Sequence, residues 1–334
     1  IFILFCHFHY DLQKTIIITF ILFIIYIILG CYIFFIDKCQ DSWLHWLYRL
    51  PKQLFIISFF IMFFLISAYI SEYTNIPFSA RVCLPINAIF VFCIGNLICW
   101  IYVVFLTKYS LKIRIKISPK KLIPILLLAI IPTLIRLPML DTLQRWDAGE
   151  YYYALGNACQ SFTYSWSGFF DSFRLCNHTT LGFSLLMAPG EFLNPRGITG
   201  VLIINLLLTT GSVICLYLLL KKVFNQISDR YLWGIAMIYS IVPFFLGSFG
   251  YLTPDYIVPI VFIFAVMAEY KKEYLLEFFW FSIMANTKEF SIIIIFGYFL
   301  AKFIFTIISN WKHKDCYKII LRNGSLWAGL LSGL

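Results

Sequence analysis

Long apolar runs recur along the whole chain and are separated by short polar segments. A helix needs roughly 20 apolar residues to cross the ~30 Å hydrocarbon core of a bilayer, and several of these runs reach that length. Hydrophobic residues make up 61% of the 334 residues and charged residues 13%, against roughly 45–50% and ~25% in soluble domains. The pattern predicts an all-α, polytopic integral membrane protein, and it excludes a soluble domain or a disordered chain.

Basic residues indicate how the spans are oriented. Segment 108–121 (KYSLKIRIKISPKK) is rich in Lys and Arg and contains no acid, which places it in the cytoplasm. Further basic clusters at 221–222, 271–272 and 312–318 fall on the same side if the chain has about ten spans. Segment 108–121 could also lie on anionic membrane lipids, or serve only as a topology anchor. The net charge of +10 therefore sets orientation, and we expect no nucleic-acid partner.

The chain divides at the cytoplasmic segment. Residues 1–121 are predicted to be an N-terminal transmembrane extension of about three spans, at 15–36, 54–70 and 85–107. Residues 122–334 are predicted to be a second transmembrane module. In this module 231–250 is predicted to be one continuous span, and the apolar stretch 181–194, which contains Pro189, is predicted to be too short to cross the membrane upright. The sequence begins with Ile1 and ends with Leu334 inside another apolar run, so we interpret it as a piece of a longer protein that is truncated at its C-terminus.

The long outer loop 139–180 carries the most informative polar residues. Asp147 and Glu150 lie three residues apart, and a helix over 145–158 would place both on one face. A carboxylate at this position could act as a general base, and a second one could orient it or hold a divalent cation through oxygen ligands. Alternatively, Asp147 and Glu150 only cap the N-terminus of the helix.

Several short motifs follow one another in a recognisable order. They are DAGEY (147–151) in the outer loop, NHTTLGF (177–183) before a short apolar segment, LLLKKVF (218–224), TPD (253–255) and ANTK (285–288). Together, over roughly residues 122–310, they resemble the GT-C membrane glycosyltransferases. The branch that looks most similar contains the dolichyl-phosphate-mannose protein mannosyltransferases and the bacterial lipid A aminoarabinose transferases.

The resemblance implies a role for each matching residue. Asp147 matches the family's catalytic base, and Glu150 is a second acid, although it stands three residues away where the family has adjacent Asp and Glu. His178 matches a substrate-binding position but lacks the two prolines that usually follow it. Asp255 and Lys288 match residues that lie near the donor phosphate, and Glu150 or Asp255 could hold a divalent metal ion.

The resemblance also implies a function. The expected enzyme is a glycosyltransferase that moves a sugar from a polyprenyl-phosphate carrier to a lipid, glycan or protein acceptor at the extracytoplasmic face. Its anionic leaving group needs a cation, which Lys288, Arg136 or Arg145 could supply. We expect a bacterial inner membrane rather than the endoplasmic reticulum, although the topology would suit both.

Other interpretations stay open at this point. A transporter or flippase, or a polymerase of lipid-linked saccharides, would have the same composition, but transporters tend to place ionisable residues at mid-membrane. Asp255 could be a helix N-cap, Lys288 could extend to the interface to reach water, and His178 could be an ordinary interfacial residue. Cys159 and Cys176 could form a disulfide in an oxidising compartment.

Overall fold

The computed structural model describes residues 119–162 and 180–310, together with eight positions between 53 and 64. The chain forms two compact units, Ile1–Lys116 and Ile117–Leu334. All eight described positions of the first unit are helical and lie within or just before the predicted span 54–70, where the rings of Phe59 and Phe63 stack with centroids 6.2 Å apart. The predicted spans 15–36 and 85–107 lie outside the described residues.

The second unit is helical, and its described residues contain no strand. In chain order, the helices and one short 3₁₀ turn are α1 (Pro119–Arg136), the 3₁₀ turn Leu137–Met139, α2 (Asp147–Phe162), α3 (Leu181–Leu193), α4 (Ile198–Val223), α5 (Asp229–Ile241), α6 (Pro243–Gly247), α7 (Pro254–Tyr270), α8 (Tyr274–Ala285) and α9 (Phe290–Asn310).

Three segments of the described residues are long and apolar enough to cross a membrane. They are Leu122–Met139, Ile198–Val223 and Phe290–Ser309. Helix α3 has 13 residues, or about 20 Å, so it is too short to cross upright, as its sequence predicts. The predicted continuous span 231–250 is interrupted instead, because Pro243 has no N–H to continue helix α5 and begins α6.

Helix α4 is the centre of the unit. It packs against α1, α3, α5 and α7, and 56% of its spanning window is buried, against 17% in α1 and α9. A helix that is apolar on every side is suited to such a central position. Its C-terminal half forms a core with α1 and α5, built from Leu128, Val213, Tyr217, Leu232 and Ala236.

Glycines allow α3 and α4 to cross in backbone contact. A Cβ added at Gly190 would lie 2.5 Å from the Gly200 carbonyl oxygen, and one added at Gly200 would lie 2.3 Å from the Gly190 oxygen. Small residues at helix crossings permit such close approach in membrane proteins. The position of α3, which begins three residues after His178, therefore depends on these two glycines.

Replacement of Gly190 by Ala should destabilise the protein. The added methyl group meets backbone atoms that cannot rotate away, and such overpacking costs about 1–3 kcal/mol. Gly297→Ala is the matched control, because a Cβ at this position in α9 meets nothing within 4 Å. Thermal unfolding in detergent should show a lower midpoint for Gly190→Ala only. Equal midpoints for the two variants would contradict the close crossing.

Candidate functional site

Helix α2 presents one buried face and one exposed face. Its buried side chains recur at helical spacing and include Ala148, Tyr151, Leu155 and Cys159. Asp147 and Glu150 occupy the first turn and are exposed, as the spacing predicts for a helix over 145–158. Both carboxylates therefore lie at the positive end of the helix dipole and face away from the bundle.

A hydrogen bond joins this acidic helix to the turn between α8 and α9. The Nζ of Lys288 donates to the phenolic oxygen of Tyr151 at 2.6 Å, across 137 residues of sequence. The same ammonium lies 5.2 Å from the centroid of the Tyr151 ring, which in turn packs against Phe183 of α3 at 6.2 Å. Tyr151 directly follows Glu150, so the contact places Lys288 beside the first turn of α2.

Lys288 remains a cation because of its neighbours. Partial burial lowers the pKa of Lys288, whereas the hydrogen bond to Tyr151 and the carboxylates of Asp255 and Glu289 raise it. The raising effects together are larger, so the pKa of Lys288 lies above its usual value. Asp255 is half-buried at the second position of α7, where Thr253 and not Asp255 is the N-cap residue. Asp255 is thus one of the two carboxylates whose charge raises the pKa of Lys288.

Gln144 connects the segment before α2 to the turn before α7. Its Nε2 donates to the Gly250 carbonyl oxygen at 2.8 Å, and its Oε1 accepts from the Leu252 N–H at 2.7 Å. Because Asp147 follows one segment and Asp255 follows the other, Gln144 limits how far the two acidic turns can move apart. We call this end of the second unit, where the α2 and α7 N-termini meet the α8–α9 turn, the outer end, after the predicted orientation.

Helix α3 begins at the same end. The Gly182 N–H donates to the Asn286 carbonyl oxygen at 2.6 Å, and a Cβ at Gly182 would lie 2.1 Å from the Ile283 oxygen. Only glycine permits α3 to start this close to the end of α8. His178 precedes this contact by four residues and lies outside the described part of the chain, so its predicted role stays a prediction.

Arg136 does not face the outer surface. Its side chain is completely buried, and its guanidinium donates to the backbone carbonyls of Pro132, at 3.2 Å, and Ser240. The expectation that Arg136 could contact a substrate phosphate therefore does not hold in this structure. Arg145, in contrast, is exposed immediately before α2.

A buried carboxyl group lies where α2 packs on α3. Glu191 is 4% exposed, and its Oε1 accepts from the Arg196 N–H at 2.9 Å. Burial raises the pKa of Glu191, although the Arg196 N–H, Tyr152 and the Arg196 charge oppose the shift. Cys159 lies beside this carboxyl group as a buried free thiol, so it forms no disulfide here, and Cys176 lies outside the described residues.

Metal-ligating side chains do not cluster in the described part of the chain. Across 119–162 and 180–310, no group of three or more His, Cys, Asp or Glu side chains is placed to hold a metal ion. Glu150 and Asp255, the predicted ligands, are thus not part of such a group, so a divalent cation held by either of them stays a prediction.

Comparison with known proteins gives no relative for this chain. No protein-family model, no curated protein and no solved structure matches it.

Substitution of Tyr151 by Phe should lower the pKa of Lys288. The variant removes the phenolic oxygen that stabilises the ammonium and keeps the ring that packs on Phe183. The pH dependence of Lys288 acylation, followed by mass spectrometry, measures the shift. Tyr153→Phe is the control, because Tyr153 lies on the exposed face of the same helix. An unchanged Lys288 profile in Tyr151→Phe would contradict the described contact.

Proposed function

We propose that this chain is a membrane glycosyltransferase that uses a polyprenyl-phosphate sugar as donor. The observation that carries the proposal is the hydrogen bond between Lys288 and Tyr151, which brings a cation to the first turn of the acidic helix. A site for this reaction needs a positive charge for the leaving phosphate and a carboxylate for the acceptor hydroxyl. Lys288 and Asp147 supply these two groups at one end of a helical membrane unit.

Lys288 is proposed to contact the phosphate of the donor. Its neighbours favour the charged form, and a charged donor makes a stronger hydrogen bond to a phosphate oxygen than a neutral one. As the bond between the anomeric carbon and the phosphate oxygen breaks, negative charge grows on that oxygen. A cation already in place stabilises this charge without reorganisation.

Asp147 is proposed to act as the general base. The acceptor oxygen attacks the anomeric carbon from the side opposite the phosphate, its proton passes to Asp147, and the lipid phosphate leaves, so the configuration inverts. The exposure of Asp147 and Glu150 leaves both free to meet an acceptor that arrives from outside the bundle. Glu150 and Asp255 are proposed to orient sugar hydroxyl groups or, in the case of Asp255, the Lys288 ammonium.

The proposed partners are a polyprenyl-phosphate sugar, a lipid, glycan or protein acceptor, and the surrounding membrane lipids. The three apolar spanning segments are compatible with an integral membrane protein. A bacterial inner membrane is the proposed location, and the same site would serve in the endoplasmic reticulum.

A flippase or transporter for lipid-linked saccharides is the second candidate, and one observation favours it. Lys302 lies within the spanning segment Phe290–Ser309 and forms an ion pair with Glu269 of α7, which also accepts a hydrogen bond from Tyr298 at 2.6 Å. Ionisable groups inside a membrane often mark a transport path. The pair is satisfied internally, however, and so also serves simply to join α7 to α9.

Replacement of Asp147 by Asn should abolish most sugar transfer. Loss of a general base typically lowers the rate about 10²–10⁴-fold. Transfer of labelled sugar from polyprenyl phosphate is measured in membranes that contain the whole protein, at matched expression. Asp141→Asn is the control, because Asp141 is an exposed acid of the same outer loop that lies outside α2.

Two results would count against the proposal. Full transfer by Asp147→Asn would remove the base from the mechanism. Absence of transfer in both wild type and variant, together with an altered distribution of the sugar lipid across the bilayer, would favour the flippase.

A further inference from the structure

Arg136 is a buried charged residue that the proposed chemistry does not use. It is the last residue of α1, lies inside the apolar segment Leu122–Met139, and is the largest completely buried side chain of the described residues. A charge in a membrane interior is costly and is retained where it has a function or a defined set of partners. The partners of Arg136 indicate which function this is.

The guanidinium joins the C-terminal turns of two helices. It donates to the Pro132 carbonyl of its own helix and to the Ser240 carbonyl, which lies in the last turn of α5. Pro243 prevents α5 from continuing, so carbonyls of that turn lose their helical donors. A cation is also favoured at the negative end of a helix dipole, and Arg136 occupies two such ends at once.

The same guanidinium contacts the turn that leads into α7. It lies 5.5 Å from the centroid of the Phe249 ring, and this ring packs edge-on against the Tyr256 ring with centroids 6.4 Å apart. Tyr256 packs against Phe245 at 4.7 Å, and its hydroxyl is 3.0 Å from Thr209 Oγ1 on α4. The ring and the hydroxyl of Tyr256 are thereby both fixed.

Tyr256 directly follows Asp255, and this is the link to the site. The ring and hydroxyl contacts of Tyr256 therefore fix the first turn of α7, and Gly250 and Leu252, just before this turn, are hydrogen-bonded to Gln144 at the outer end. The charge of Asp255 in this turn also raises the pKa of Lys288. Phe249 is held in turn by Asn205, whose Nδ2 donates to the Phe249 carbonyl at 3.1 Å. A shift of Arg136 would therefore be passed through Phe249 and Tyr256 to Asp255.

We propose that Arg136 is a positioning residue that acts through Phe249 and Tyr256 to hold Asp255, in the first turn of α7, at the outer end. This inference rests on the proposed function, because it assigns Arg136 to the same outer site. It also explains the residue type: a guanidinium can bond the carbonyls of two helices and lie against an aromatic ring at the same time, whereas the single ammonium of Lys cannot match that geometry.

A double-mutant cycle tests the proposal. Arg136→Lys and Tyr256→Phe are each made in the wild type and in Asp255→Asn, and kcat and KM for sugar transfer are measured on the whole protein. Each single variant should lower kcat about tenfold or more, as small displacements of catalytic groups do. In the Asp255→Asn background the same changes should lower kcat no further, because the group they position is absent.

Tyr256→Phe keeps the experiment decisive if Arg136→Lys does not fold. It removes one hydroxyl and leaves the ring packed against Phe245 and Phe249. Tyr217→Phe is the matched control, since Tyr217 is equally buried but belongs to the core between α1, α4 and α5. Tyr217→Phe should leave kcat unchanged.

The outcomes separate the two proposals. If Asp255→Asn lowers kcat but Tyr256→Phe does not, or if their effects on kcat multiply, Arg136 has no positioning role through Tyr256 and the proposed function stands. If Asp255→Asn itself leaves kcat unchanged, Asp255 has no part in the reaction and both the positioning role and that part of the proposed function are wrong.

Discussion

The hydrocarbon interior of a bilayer offers no hydrogen-bond partner to the backbone, and this constraint shapes the described part of the protein. Each spanning segment must pair its N–H and C=O groups within its own helix. Backbone groups become free only where a helix ends, so polar side chains gather at those ends. Asp147, Asp255 and Lys288, the groups proposed to carry the chemistry, all lie in a first turn or in a turn between helices.

Proline decides where several of these ends fall. Pro243 separates α5 from α6, and Pro254 begins α7, so the chain between them can bring Gly250 and Leu252 to Gln144. Arg136 then bonds a carbonyl in the last turn of α5. Gln144 and Arg136 thus bond backbone groups near the helix breaks, and these bonds hold the chain segments that lead into the outer end.

Local sequence patterns predict a good part of this arrangement. The three-residue spacing of Asp147 and Glu150 predicts that both lie on one face of a helix, and both are exposed in the first turn of α2. The 14-residue apolar stretch that contains Pro189 predicts a helix too short to cross upright, which α3 confirms. Helical periodicity and span length are properties of neighbouring residues, so a single sequence is sufficient to reveal them. The same reasoning overlooked the break at Pro243, because the apolar composition of 231–250 continues through it.

Contacts between distant residues could not be predicted in this way. Tyr151 and Lys288 are 137 residues apart, Gln144 and Gly250 are 106 apart, and Arg136 and Ser240 are 104 apart. No local period encodes such pairs, because they depend on how the helices pack. A Tyr that directly follows an acidic pair and occupies the buried face of its helix was the available signal for Tyr151.

The central claim is that Lys288, which donates a hydrogen bond to Tyr151 of the acidic helix α2, binds the donor phosphate. Donor binding by a Lys288→Gln variant tests this claim most directly. The KM for a polyprenyl-phosphate sugar should rise at least about tenfold, as expected when a charge-assisted bond to phosphate is lost. The control is Lys222→Gln, because Lys222 is an exposed lysine in the last turn of α4. This substitution should leave the KM for the donor unchanged. An unchanged KM in Lys288→Gln, with the protein folded, would contradict a phosphate site at the outer end.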